Sequence, residues 1–150
     1  MMTRGVGMLA AAVLVGLGAL HAYWAAGGRW ATGVSVPQRH DRADEHADDQ
    51  VAFVPGPVAT LIVAALLFAA ALVMLGRIGM WGTWMPRWVF VLGAWTLVAV
   101  FAGRVVGDLR LFGIFKRVKG TPFAWWDTRF YTPLSAMLAL AALIAAINGP

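Results

Sequence analysis

Four stretches of this chain contain no Asp, Glu, Lys or Arg: Gly5 to Gly28, Val51 to Gly76, Trp88 to Gly103 and Phe130 to Pro150. A water-soluble fold of this size has no use for four such runs. In a bilayer, by contrast, a spanning segment needs about 20 mostly apolar residues. Backbone polar groups in hydrocarbon must also be satisfied within the segment, which leaves the helix as the conformation for each run. The expected fold is therefore all-α: an integral membrane four-helix antiparallel bundle over residues 1–150, treated as one domain.

Composition points the same way. Hydrophobic residues make up 61% and charged residues 13% of the chain, with mean hydropathy +0.74. Soluble domains average about 25% charged residues. The chain has no cysteine, which rules out disulfides, thiolate nucleophiles and cysteine-ligated metals together. Arginine far outnumbers lysine, which is confined to Lys116 and Lys119. Together with the abundance of Ala, Gly and Val, this suggests a GC-rich bacterial genome and hence a bacterial cell membrane.

The spans are expected at about residues 5–26, 57–76, 88–106 and 131–147. The first begins like a signal peptide, but its apolar run exceeds an h-region and Leu20-His21-Ala22-Tyr23-Trp24 is a poor cleavage site, so it reads as a retained span. Pro57 suits the first position of the second helix. Trp81, Trp84 and Trp88 form an interfacial collar before the third. Pro133 falls in the first turn of the fourth. Small residues four apart (Gly18, Ala22 and Ala26; Ala12 and Gly16; Ser135 and Ala139) mark faces where helices can approach closely.

Basic residues set the orientation. Arg29, Arg39, Arg42, Arg104, Arg110, Lys116, Arg117, Lys119 and Arg129 fall on one side of the membrane, against Arg4, Arg77 and Arg87 on the other. The positive-inside rule places the first group in the cytoplasm and both termini outside.

Nearly every side chain capable of chemistry gathers at that basic end. His21, Trp24 and Arg29 come after span one, and Thr60 opens span two. Arg104 and Asp108 close span three, while Thr121, Asp127 and Tyr131 open span four. Arg104 and Asp108 are four apart and would pair on a helix. That pair reads either as a functional site or as a snorkelling arginine with a local acid. Asp108 and Asp127 could serve as an acid–base pair if the intervening loop folds back.

Leu111, Ile114, Phe115 and Val118 recur at helical spacing. This suggests a short interfacial helix between spans three and four, within Leu109 to Lys119, with Arg110, Lys116, Arg117 and Lys119 against lipid headgroups. His40 and His46 lie among Asp41, Asp44, Glu45, Asp48 and Asp49. No standard metal-ligand spacing is present, and the segment reads as a solvated loop with no metal site. His21 is the one titratable group in span one and reads as helix-end packing or as a ligand or proton-transfer residue.

Several strings carry a family resemblance: His21-Ala-Tyr-Trp24, Pro55-Gly-Pro-Val-Ala-Thr60, Gly107-Asp-Leu-Arg110, Phe112-Gly-Ile-Phe-Lys-Arg117, Thr121-Pro-Phe-Ala124, Asp127 and Tyr131-Thr-Pro-Leu134. In order and spacing they resemble the bacterial membrane-protein family known as domain of unknown function 3995. The resemblance covers most of the chain apart from the acidic loop. It implies a small multi-span protein and no particular activity. Thr132 stands where the family pattern suggests serine, which keeps the hydroxyl.

No nucleophile elbow, phosphate loop, dinucleotide fingerprint or HExxH occurs, and no motif identifies a cofactor. The leading expectation is an accessory or interaction protein whose basic face binds membrane lipid headgroups or a protein partner. The alternative is a small membrane enzyme or lipid/quinone-binding protein using His21, Arg104, Asp108 and Asp127. A transporter would need polar groups at mid-membrane, where only Thr60, Thr96 and Ser135 are candidates. The membrane setting already accounts for the basic and aromatic content, so nucleic acid is not an expected partner.

Overall fold

A computed structural model describes residues 2–39, 50–51 and 55–150. In chain order the helices are α1 (Met2–Ala25), the one-turn α2 (Thr32–Ser35), α3 (Pro57–Arg77), α4 (Arg87–Val106), α5 (Pro122–Trp126) and α6 (Thr132–Asn148). A π-helical turn, Asp127–Tyr131, joins α5 to α6. The only extended pairing among the described residues is a two-residue antiparallel ladder, Gln38–Arg39 with Gln50–Val51. His40 to Asp49, the acidic loop, lie outside the described residues.

Among the described residues, four helices have the length and apolarity to cross a membrane: α1, α3, α4 and the composite Pro122–Asn148. The protein is a multi-pass membrane protein. Helices α1 and α3 pack along each other, as do α4 and α6; contacts of α3 with α4 and of α1 with α6 close the ring. Its centre is built of small side chains. Ala10, Ala11 and Leu14 of α1 meet Ala70, Ala71 and Met74 of α3 and Leu138, Ala141, Ala142 and Ala145 of α6. Lipid supplies no hydrophobic drive between helices, so close van der Waals packing of small residues has to hold them.

Glycine shows this most directly. A Cβ at Gly18 would sit 3.0 Å from the Phe68 ring, and one at Gly7 would sit 2.6 Å from Ile78 Cγ2. The expected pair Ala12 and Gly16, in contrast, is exposed. Helix α4 stands furthest out: 11% of its spanning window is buried, against 33% for Pro122–Asn148. Leu92, Trp95 and Val100 face outward on it, which in hydrocarbon carries no penalty.

Two boundaries differ from expectation. Span four begins at Pro122, nine residues before the expected Tyr131. Pro133 has no N–H to offer the Arg129 carbonyl, and its ring crowds that carbonyl. The winding immediately before α6 is the π turn, closed by the Thr132 N–H on the Asp127 carbonyl. The short interfacial helix expected between spans three and four does not form: Leu109 to Lys119 runs in turns and bends, and the short helix α5 is the start of span four. Positive φ at Gly107 (83°), Leu109 (63°) and Gly113 (89°) is incompatible with a continuing helix.

At the end remote from this loop, Arg77 is buried and donates from Nη2 to the Ala146 carbonyl at 3.0 Å and from Nη1 to the Pro150 carbonyl at 2.6 Å. The Ala146 carbonyl, orphaned by the end of α6, and the Pro150 carbonyl just beyond the helix thus share a cationic donor on α3.

Candidate functional site

Helix α4 stops at Val106, and Gly107 turns the chain away from the helix axis. Asp108 organises the loop beyond it. Its Oδ1 accepts from the backbone N–H groups of Arg110 (2.9 Å), Leu111 (2.7 Å) and Phe112 (3.1 Å). Burial works to raise the Asp108 carboxyl, but these three N–H groups outweigh it and hold it below the usual carboxylate range. The loop then returns on itself. Ile114 N–H donates to the Val105 carbonyl at 2.9 Å, and a Cβ on Gly113 would lie 2.6 Å from both Gly107 Cα and the Val106 carbonyl oxygen. Only glycine permits that crossing.

The closed loop presents its Gly113 N–H to Asp127, which is completely buried. Asp127 Oδ1 accepts from Arg104 Nη2 at 2.7 Å. Its Oδ2 accepts from Lys116 Nζ at 2.8 Å, Gly113 N at 2.9 Å and Thr132 Oγ1 at 3.2 Å. One carboxylate therefore ties together the end of α4, the loop, the π turn and the start of α6. Desolvating an ion costs several kcal/mol, and only good geometry with further hydrogen bonds offsets it. Both conditions are met here. The Arg104 guanidinium also lies 4.6 Å from the centre of the Phe112 ring, while its Nη1 is buried without a hydrogen-bond partner among the described residues.

Beside the cluster is an open groove of about 930 Å³ between the 113–122 segment, α5, the π turn and the first turns of α6. Lys116, Lys119 and Arg129 line it, and no acid does. Arg129 stacks on Trp125 with its guanidinium carbon 4.5 Å from the ring centre.

Residues 14–142 match the family described as protein of unknown function, DUF3995. The chain belongs to this family. No curated protein and no solved structure matches it. In this DUF3995 member the motifs Gly107-Asp-Leu-Arg110, Phe112-Gly-Ile-Phe-Lys-Arg117 and Asp127 are the strings that build the loop and its buried carboxylate.

Arg104 does not pair with Asp108, contrary to the helical-spacing expectation. The helix ends between them, Asp108 is committed to backbone N–H groups, and the arginine reaches Asp127 instead. No hydrogen bond joins Asp108 to Asp127: Asp108 Oδ1 accepts from backbone N–H groups of its own loop, and Asp127 accepts from Arg104, Lys116, Gly113 and Thr132.

Thr121 and Tyr131 belong to the same corner. Thr121 caps α5 by accepting from Ala124 N at 3.1 Å. Tyr131 Oη donates to the Val34 carbonyl at 3.3 Å, tying α2 to the π turn. Four other expected residues serve the helix ends nearby. His21 Nδ1 donates to the Leu17 carbonyl at 2.8 Å, and its ring meets Trp24 edge-on at 5.0 Å. The Trp24 indole N–H donates to the Trp30 carbonyl. The Arg29 carbonyl accepts from Thr32, and Thr60 Oγ1 donates to the Gly56 carbonyl.

Arg110, Arg117 and Lys119 are exposed, whereas Lys116, grouped with them by sequence, turns inward and is 8% exposed. The participants that sequence reasoning missed are Gly113 and Thr132, together with Lys116 as a partner of Asp127. One signal was available. Asp127 has no basic residue three or four positions away in either direction, so a buried acid there needs distant partners. The hydroxyls of Thr96 and Ser135 donate to carbonyls four residues earlier in their own chain, as Thr60 does, and so mark no polar path.

Proposed function

We propose that this protein is a non-catalytic membrane protein whose basic end holds anionic lipid headgroups on the cytoplasmic side of a bacterial cell membrane. The observation that carries the reading is the commitment of both described carboxylates at that end. Asp127 is filled by Arg104, Lys116, Gly113 and Thr132, and Asp108 Oδ1 is taken by three backbone N–H groups. A general base needs a free lone pair within reach of a substrate proton and a pKa matched to the task. Asp127 is sealed in the interior, and the three backbone N–H groups on Asp108 Oδ1 hold that carboxyl below the usual range, which makes it a weak base. The described cations left over at this end are Arg29, Arg110, Arg117, Lys119 and Arg129, which are exposed and have no acid partner among the described residues. Each basic side chain near an anionic leaflet is worth about 1 kcal/mol of attraction. The excess of basic residues at this end supports its cytoplasmic placement.

Thermal unfolding in nanodiscs tests the reading. The melting temperature is expected to be higher in phosphatidylglycerol than in phosphatidylcholine, and the difference should shrink at high salt because exposed charges are screened. Equal melting temperatures in the two lipids would remove the basis for headgroup binding.

A further inference from the structure

We infer that the groove beside the Asp127 cluster is the seat of one anionic phospholipid, with its phosphate between Lys119 and Arg129 and an acyl chain along the wall formed by Val105, Pro133 and Ala136. This deepens the headgroup-binding reading and rests on it. Three observations favour a lipid as the occupant. The first is charge. The groove is lined by three cations and no acid, and of these Lys116 is already paired with Asp127 at 2.8 Å. Lys119 and Arg129 remain without an acid partner among the described residues, so the groove has an unmatched double positive charge. Stacking on Trp125 at 4.5 Å holds the Arg129 guanidinium at the groove.

The second observation is placement. Val105 belongs to the last turn of α4, and Pro133 and Ala136 to the first turns of α6. The groove therefore runs from the basic loop onto the flanks of two spanning helices. A water-borne phosphate would need the cations alone, whereas a lipid also uses an apolar wall that continues into the bilayer. The third is size. About 930 Å³ is at the upper end of small-molecule sites, which run roughly 300–1,000 Å³, and has room for a headgroup and the upper part of one chain. The cluster itself gives the site a rigid floor, because Lys116, Gly113 and Thr132 line the groove and all bond to Asp127.

Native mass spectrometry of the full chain, titrated with phosphatidylglycerol or phosphatidylcholine in detergent, reads the stoichiometry directly. The expected result is one retained phosphatidylglycerol, bound at least about tenfold more tightly than phosphatidylcholine, since charge-assisted contacts to phosphate supply the difference. Lys119→Gln with Arg129→Gln should weaken that binding by roughly tenfold or more. Ala136→Trp, which fills the wall and leaves the cations in place, should abolish retention. Arg110→Gln with Arg117→Gln, outside the groove, should lower the general attraction to anionic lipid yet keep the one retained phosphatidylglycerol. All four basic side chains are exposed, so these variants should fold, and an unchanged melting temperature in detergent checks that.

Retention of phosphatidylglycerol by the Lys119/Arg129 variant, or by Ala136→Trp, would overturn the groove assignment. Loss of binding only in the Arg110/Arg117 variant would overturn it too while leaving headgroup binding at the basic end intact. Absence of any anionic-lipid preference in the parent protein would bring down both readings.

Discussion

Arg104 donates from Nη2 to Asp127 Oδ1 at 2.7 Å across 23 residues of sequence, linking the last full turn of α4 to the π turn that leads into α6. Lys116 approaches the other oxygen of the same carboxylate, so the cluster holds two cations and one anion. That charge balance sets its response to substitution. Asp127→Ala strands two cations in low-dielectric surroundings and should cost about 3–5 kcal/mol. Arg104→Leu or Lys116→Met leaves a balanced ion pair and should cost clearly less. Unfolding of the purified variants in mixed micelles ranks the three, and equal losses would mean that the charges are not coupled as the geometry requires.

Asp108 provides a pH dependence of known sign. Its folded carboxyl is held below the usual range by the Arg110, Leu111 and Phe112 N–H groups, against the opposing effect of burial. In the unfolded chain it titrates near its ordinary value of about 3.9. The unfolded state therefore binds the proton first as pH falls. The stabilisation is complete above about pH 4–5 and disappears as pH drops through the lower folded value. Asp108→Asn still offers an oxygen to the loop but does not titrate, so its stability deficit relative to the parent should be greatest near neutrality and shrink below about pH 4. Melting curves from pH 7 to pH 3 measure this, and a deficit that grows with acid would contradict it.

At the opposite end, Arg77→Leu removes the donors to the Ala146 and Pro150 carbonyls. Hydrogen bonds from a charged group contribute about 1.5–3 kcal/mol, and the loss should fall locally on the end of α6. Hydrogen exchange is expected to accelerate over residues 144–149 with little change in α1. Uniform acceleration across all four spans would mean that Arg77 supports the bundle as a whole.

The proposed orientation has a direct check. Cysteine introduced at Gly33, exposed and with open space around a Cβ, and at Thr83, exposed between α3 and α4, lies at opposite ends of the bundle. In intact cells an impermeant maleimide should label position 83 and spare position 33. The reverse pattern would invert the protein in the membrane and move the basic end outside.

The sequence alone determined that four helices cross a bilayer and that chemistry-bearing residues crowd one end. Both come from segment-level physics: hydrocarbon thickness sets the length of an apolar run, and each helix satisfies its own backbone. The starts of α3 and α4, at Pro57 and Arg87, were legible in this way, from proline and from the change in charge.

The tertiary structure decided which acid meets which base. The four-residue spacing of Arg104 and Asp108 implies a pair only if the helix continues, and Gly107 ends it between them. The Gly107-Asp108 pair is itself a turn signal, so this departure had a trace in the sequence. The convergence of Arg104, Gly113, Lys116 and Thr132 on Asp127 had almost none. It requires the loop to cross itself at two glycines and the π turn to bring the carboxylate inward. Long-range charge pairing is set by where packed elements place their ends, because a buried ion takes whatever donors the fold brings within reach, and no local spacing encodes that choice.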